Sequence, residues 1–275
     1  MHLSGLFLYP VKSLRGFPVG SAEVDGLGLV GDRRFLVVDE QGRHLTQRPL
    51  PRMALITAEL AADNLVLSAE GASTIAIPLR ADPHTPPPLR TVSVWNSEGL
   101  LAEDCGADVS RWLSAFLGLT CHLMRIGEKF RRPVLNPARA KPDDLFNFAD
   151  GYPFLVIGEA SLADLNDRIV ERGDEPVPMN RFRPSLVISG AASFAEDNWP
   201  RLRIGEIVFR AGGPCARCIV TTTDQFTGAR GKEPLRTLAT YRRDTSDPSA
   251  VNFGQNLIHE TKSGTLRVGD LVSIV

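Results

Sequence analysis

The chain is broken throughout into short apolar runs bounded by Gly, Pro or Asp, and this punctuation limits its possible folds more than any other feature. Runs of that length suit strands and are too brief for most helices. Strands are expected at 3–9, 34–39, 55–60, 65–68, 74–77, 91–94, 121–126, 154–157, 185–189, 206–210, 219–223 and 271–275. Two segments carry helical spacing instead. In the first, Val109, Trp112, Leu113, Phe116 and Leu117 share a face, with Asp108 placed to cap the start and Gly118 to stop it. In the second, Ser161 precedes Leu162, Leu165 and Ile169, with Asp164 at capping-box spacing and Gly173 beyond the end. A short third helix is expected from Pro234. LRIGEIVFR at 202–210 is echoed by LRVGDLVSIV at 266–275, and both read as tight hairpins of a small closed barrel.

At 275 residues the chain has room for one large domain or two ordinary ones. The Pro- and charge-rich stretch 129–144 (KFRRPVLNPARAKPDD) disfavours packed structure. It divides the chain into expected domains 1–128 and 129–275. The other Pro-rich piece, 82–89, reads as a long loop. A net charge of -1 argues against a general nucleic-acid or anionic-membrane binder, which needs a basic excess. The opening MHLSGLFLYPVKS is too broken for a signal peptide or membrane span, so a cytoplasmic location is expected. The five histidines are scattered without ligand spacing.

Residues 26–31 (GLGLVG) match the glycine pattern of dinucleotide sites. That pattern works only where the last glycine opens a helix, whose N-terminus holds the pyrophosphate. Here DRRFLVVD follows and favours a strand. These glycines are therefore expected to be turn positions.

Chemistry concentrates in GGPCARCIVTTTDQFTGARGKEPLRTLATYRR, residues 212–243. Cys215 and Cys218 enter a β-branched run, and Arg217 beside them would favour a thiolate. Of the four cysteines only these two are close in sequence. Such a pair is more often half a zinc site, a redox dithiol or two buried thiols than a site for a rarer metal. Zinc would need two further ligands, for which Cys121 and His122 are candidates facing opposite ways on a strand. A redox dithiol would want a helix N-terminus at its first Cys.

Cys215, Arg217, Cys218, Thr221, Thr222, Asp224, Thr227 and Gly228, followed by KEPL and YR, form a pattern that resembles the metal-binding motif of MOSC-domain proteins. That family includes the amidoxime-reducing components. YPVKSLRG (9–16), GDRRFLVVDEQG (31–42) and TQRPLPRMALI (46–56) resemble the family's N-terminal β-barrel domain. EASLADLN (159–166), RFRPSLVISG (181–190), FGQN and VGD resemble its C-terminal half. The likeness thus runs nearly end to end and in order. It implies an α+β, strand-rich fold: a MOSC β-barrel, a MOSC N-terminal β-barrel-type domain and a few peripheral helices.

The resemblance further implies molybdenum cofactor (molybdopterin), with Cys218 as the thiolate to the metal and Cys215 not a ligand. Lys12, Ser13, Arg33 and Arg183 match positions that hold the cofactor, and Ser161 and Arg217 are weaker carry-overs. Taken singly, Lys12 and Arg33 read as solvated turn charges and Ser161 as a helix cap. Ser185 stands where the family often has Asn after FRP. The implied activity is reduction of small N-hydroxylated compounds, releasing water. Electrons would come from a separate haem, iron–sulfur or flavin protein. One rival is a molybdenum-cofactor or sulfur carrier without turnover, since related domains occur in cofactor sulfurases. Pyridoxal phosphate binding is associated with the family only, and no recognisable domain for it exists in this chain. A second rival is a zinc-stabilised binding module.

Overall fold

The structure, a computed structural model, describes residues 1–136 and 138–275; Pro137, inside the expected linker, lies outside the described residues. The chain opens with β1 (His2–Leu8), β2 (Phe17–Pro18), β3 (Ser21–Asp25), β4 (Gly28–Leu29) and β5 (Phe35–Val38). A meander of β6 (Thr57–Ala61), β7 (Asn64–Ser68) and β8 (Ile75–Pro78) follows, then the hairpin β9 (Leu89–Val94) and β10 (Ser97–Asp104). Helix α1 (Ala107–Leu117) and β11 (His122–Arg125) complete this half. The second half runs β12 (Phe154–Gly158), α2 (Glu159–Glu171), β13 (Leu186–Ser189), β14 (Arg201–Ile204) and β15 (Ile207–Ala216). It ends with α3 (Leu235–Leu238), β16 (Asn252–His259), β17 (Gly264–Arg267) and β18 (Val272–Ile274).

One sheet, ordered β18-β14-β15-β16-β12-β13-β1-β2, dominates the second half. Its parallel pair, β12 and β13, is joined by α2, the crossover that parallel neighbours require. The sheet curls onto itself. Leu3 N–H donates to Asp270 O (2.9 Å), Gly269 N–H to Leu3 O (2.8 Å) and Val272 N–H to Met1 O (3.0 Å), so β1 meets the approach to β18. Leu3, Leu6, Phe154, Phe209 and Leu257 belong to one buried cluster against it. The first strands of the chain therefore complete the sheet of its second half, and β3 likewise pairs with β17. In the first half, β5 has both faces buried. Phe35 and Val37 face the cluster containing α1, while Leu36 and Val38 face a second one with Val92, Met124 and Phe148. This explains why its sequence is an unbroken apolar run.

Most expected strands form, and Gly26 and Gly31 (φ 85°) lie in turns, whereas Gly28 (φ 121°) opens the short strand β4 rather than a turn. Several expectations need correction. Residues 219–223 are not a strand: Ile219–Thr222 makes a 3-10 turn. The hydroxyls of Thr221 and Thr222 donate back to the carbonyls of Cys218 (2.9 Å) and Ile219 (2.8 Å), and this local bonding outweighs β-branching. Helix α1 is capped by Gly106, with Asp108 in its first turn, although Gly118 does end it at φ 77°. Helix α2 starts earlier than expected, which places Ser161 inside it rather than at its cap. The echoed segments diverge: β14–β15 is a hairpin turning at Gly205, whereas β17 pairs with β3 and β18 with β14. Part of 129–144 is anchored in the core, with Phe130, Val134 and Asp144 buried and Arg132 only 1% exposed, while most other described residues of the stretch are exposed.

Candidate cofactor cleft

Four chain segments meet at one end of the large sheet. The turn after β1 carries Lys12 and Ser13, and the turn before β5 carries Arg33. The approach to β13 carries Arg183, and the end of β15 carries Cys215, with Arg217 and Cys218 just beyond it. All seven line one open cleft of about 870 Å3. Ser13 (φ 67°), Arg33 (φ 44°) and Arg183 (φ 55°) adopt left-handed backbone conformations, as does Trp95 (φ 52°), which also lines the cleft. Such conformations are uncommon for residues with a Cβ and persist where the surroundings enforce them.

Hydrogen bonds show what enforces them here. Asp32, fully buried, accepts the Tyr9 N–H (2.9 Å) and the Arg33 guanidinium (2.6 Å). Arg33 also donates to Arg183 O (3.1 Å), and Arg183 donates to Leu14 O (2.7 Å). The two guanidiniums lie 4.4 and 4.3 Å from the centre of the Tyr9 ring, a cation–π arrangement. Burial lowers the Arg183 pKa to about 10, still charged at neutral pH. Lys12, 5% exposed, is pushed down to about 8 by burial against the opposing pull of Asp150. Burial works to raise the Asp150 pKa, but the Lys12 ammonium and the Trp95 N–H (2.8 Å) hold its carboxyl well below the usual range.

The two neighbouring thiols differ. Arg217 donates to Cys215 Sγ (2.9 Å) and to Phe182 O (2.6 Å), so its guanidinium serves Cys215 and not Cys218. Burial nonetheless pushes the Cys215 thiol up, with Arg217 only opposing it. Cys218, half-buried, precedes the 3-10 turn at the cleft wall. Cys121 is packed in a hydrophobic cluster with its amide bonded to Ser114 Oγ, away from the cleft lining. Among the described residues, no group of three His, Cys, Asp or Glu is arranged to hold a metal.

A MOSC N-terminal beta barrel domain model matches residues 1–120, and a MOSC domain model matches residues 143–273. The human mitochondrial amidoxime-reducing component 1 is 37% identical across 98% of this chain and 82% of that protein. The chain belongs to the MOSC family. Rat mitochondrial amidoxime reducing component 2 is 34% identical over 98% of this chain and 82% of its own length. A zebrafish (Danio rerio) molybdenum cofactor sulfurase is 36% identical over 94% of this chain, which spans 32% of that longer protein.

Within this MOSC chain, Ser161 is not brought to the cleft. It is fully buried, donating to Glu196 Oε2 (2.8 Å) and accepting the Phe194 N–H (2.7 Å). Ser185, at the position noted after FRP, is fully buried and accepts a long bond from Arg33 (3.4 Å). Sequence reading missed Arg48, Trp95, Asp150 and Tyr152, which also line the cleft. Trp95-Asn96 sits between two apolar runs at two-residue hairpin spacing, and Asp150-Gly151 lies two residues before β12, so both carried a turn signal.

The cleft suits an anionic organic group carrying a soft metal. Lys12, Arg33, Arg48, Arg183 and Arg217 supply cations, and Asp150 is the one carboxylate among the lining residues. Arg217 Nε is buried without a partner, a donor awaiting an acceptor. Cys218 offers sulfur in the same cleft.

Proposed function

We infer that the chain binds molybdenum cofactor and reduces N-hydroxylated compounds, with Cys218 as the ligand to the metal. The observation that carries this reading is the gathering of Cys218 and five cationic side chains in one cleft whose backbone is held in uncommon conformations. The similarity to amidoxime-reducing components supports the choice of reaction. When bound, the cofactor supplies the two-electron redox chemistry.

The chain's own residues do the rest. Lys12, Ser13, Arg33, Arg183 and Arg217 grip the organic part through charge and directed hydrogen bonds. Lys12 Nζ holds a proton at neutral pH beside the Asp150 carboxylate, which gives the cleft an acid and an acceptor in contact. Asp32, Tyr9 and Asn147 keep Arg33 and Arg183 in place, so the cations are oriented before any ligand arrives. Electrons come from a separate haem, iron–sulfur or flavin protein. Neither nucleic acid nor membrane is a partner in this reading, and no helix among the described residues is long and apolar enough to cross a membrane. The cytoplasmic location is carried forward as part of the proposal; the component relatives are named as mitochondrial, and cell fractionation decides between the two.

The second reading, a cofactor or sulfur carrier without turnover, is favoured by the sulfurase similarity. One experiment separates the readings. Protein made in a cofactor-competent host is analysed for metals and assayed for hydroxylamine and benzamidoxime reduction with an artificial reductant. Molybdenum near one per chain with turnover is the expected result. A loaded but inert protein supports the carrier, and zinc or no metal overturns both.

A further inference from the structure

A buried joint outside the cleft lining ties together the segments that form the cleft. Gln47 is fully buried and Gln225 is 2% exposed, although 178 residues separate them in sequence. Their side-chain amides bond each other both ways. Gln47 Nε2 donates to Gln225 Oε1 (3.1 Å), and Gln225 Nε2 donates to Gln47 Oε1 (3.0 Å). The second N–H of each amide reaches a main-chain carbonyl. Gln47 donates to Ser13 O (2.8 Å), and Gln225 donates to Thr223 O (3.1 Å). All four amide N–H groups are therefore used. A carboxamide offers donor and acceptor side by side without charge, which lets two of them close such a pair in a buried setting.

Each end of the joint runs to residues that line the cleft. On one side Thr46 and Arg48 flank Gln47, and both line the cleft, as does Ser13 beside Lys12. The Arg230 guanidinium adds a second stitch by donating to the carbonyls of Gln47 and Arg48. On the other side Thr223 N–H donates to Val220 O (3.1 Å), and Thr221 N–H donates to Cys218 O (3.0 Å). Bonds thus lead from Gln225 back along the 3-10 turn to the residue that carries the sulfur. Lys12, Ser13 and Arg48 belong to the first matched domain, and Cys218 belongs to the second. A group gripped by both must meet them at one fixed separation. The amide pair is a short, fully bonded link between the two sides.

We propose that Gln47 and Gln225 are positioning residues for the metal group, setting the separation between the Cys218 turn and the cationic segments at Ser13 and Arg48. The proposal rests on the cofactor reading above. Neither side chain lines the cleft, so both act through the residues they hold. Breaking a link that orients metal-binding groups costs about 10- to 100-fold in metal affinity.

The test sets cofactor retention against stability. Gln225→Leu and Gln47→Leu each strand the partner amide. The cofactor-free variants should denature earlier, and the loaded ones should release molybdenum about tenfold faster. Metal per chain during dialysis follows the release. The double variant, Gln47→Leu with Gln225→Leu, decides the matter. Two apolar side chains suit the space that the pair filled, so stability should return most of the way to that of the unaltered chain. The links to Ser13 and Thr223 stay broken, so release should remain about tenfold faster. X-ray absorption at the molybdenum edge should show an altered sulfur shell in the metal that the double variant still holds. An unchanged shell, retention that follows stability throughout the series, or retention that no variant alters overturns the proposal. Unaltered protein that holds no molybdenum ends the cofactor reading and the proposal together, whereas loaded protein with indifferent variants ends the proposal alone.

Discussion

Two polar clusters in this molecule look alike in sequence and differ in their open valence. At the start of α2, Glu196 accepts the Gly158 N–H (3.0 Å) and the Ser161 hydroxyl, while Ser161 in turn accepts the Phe194 N–H. Glu196 and Ser161 are fully buried, and every contact among them is internal. In the cleft, by contrast, Arg217 Nε has no partner, cations outnumber carboxylates, and the cluster opens to space. Backbone strain does not tell them apart, since Phe194 also has a positive φ of 62°. What separates them is whether the hydrogen-bonding capacity is used up. A closed cluster stabilises the fold, and an open one is ready for a ligand.

The sharpest way to break this comparison is at the thiols. Cys218→Ser should lose molybdenum and lower reductase activity roughly 100-fold or more, because a hydroxyl is a harder and poorly ionised donor. Cys215→Ser should keep the metal, since Cys215 is already engaged by Arg217 and serine also accepts that bond. Metal analysis beside the activity assay checks both, and equal losses would refute the assignment of Cys218 alone. Next come the cations. Arg183→Met should weaken cofactor retention by about 10- to 100-fold, the worth of one charge-assisted hydrogen bond, with the fold intact by circular dichroism.

The fold was largely legible because strand-length apolar runs and turn residues are local signals, and β5 and α1 form as their patterns imply. Segments whose pairing is set by distant partners were not. β17 resembles half of a hairpin yet pairs with β3, a register fixed by barrel closure. The motif order put Lys12, Ser13, Arg33, Arg183, Arg217 and Cys218 in one list, and the fold brings these six to one cleft; it could not separate Ser161, whose bonds depend on Glu196 far along the chain. Nor could it find Arg132, read as linker charge, because only the folded chain brings five acceptors around it.

Ser161 gives the next prediction in size. Ser161→Ala should retain cofactor and lower stability by about 1–3 kcal/mol, the cost of leaving buried partners unsatisfied. The pH dependence carries a sign. Burial raises the Glu196 pKa, and the Ser161 hydroxyl opposes this by bonding the charged form. Removing it penalises the carboxylate, so the loss should be larger at pH 8 than at pH 5 in denaturant titrations. A variant that sheds molybdenum while keeping its stability would instead return Ser161 to the cofactor's side of the comparison.

The smallest effect comes from the open cluster and is the most specific. Lys12 falls from 10.5 to about 8 in the folded chain. An anionic ligand needs the ammonium, so cofactor retention should drop about tenfold between pH 7 and pH 9, one proton's worth. The cofactor-free protein should behave in the opposite way. Between about 8 and 10.5 the unfolded chain keeps a proton that folded Lys12 has released, so folding stability contributed by this group rises with pH across that window. Lys12→Arg, which does not titrate there, should flatten both trends. Molybdenum per chain after gel filtration, set beside denaturation midpoints of the cofactor-free protein, reads the two curves separately. Parallel curves would mean that Lys12 acts through stability alone, whereas opposed ones locate its role at the ligand.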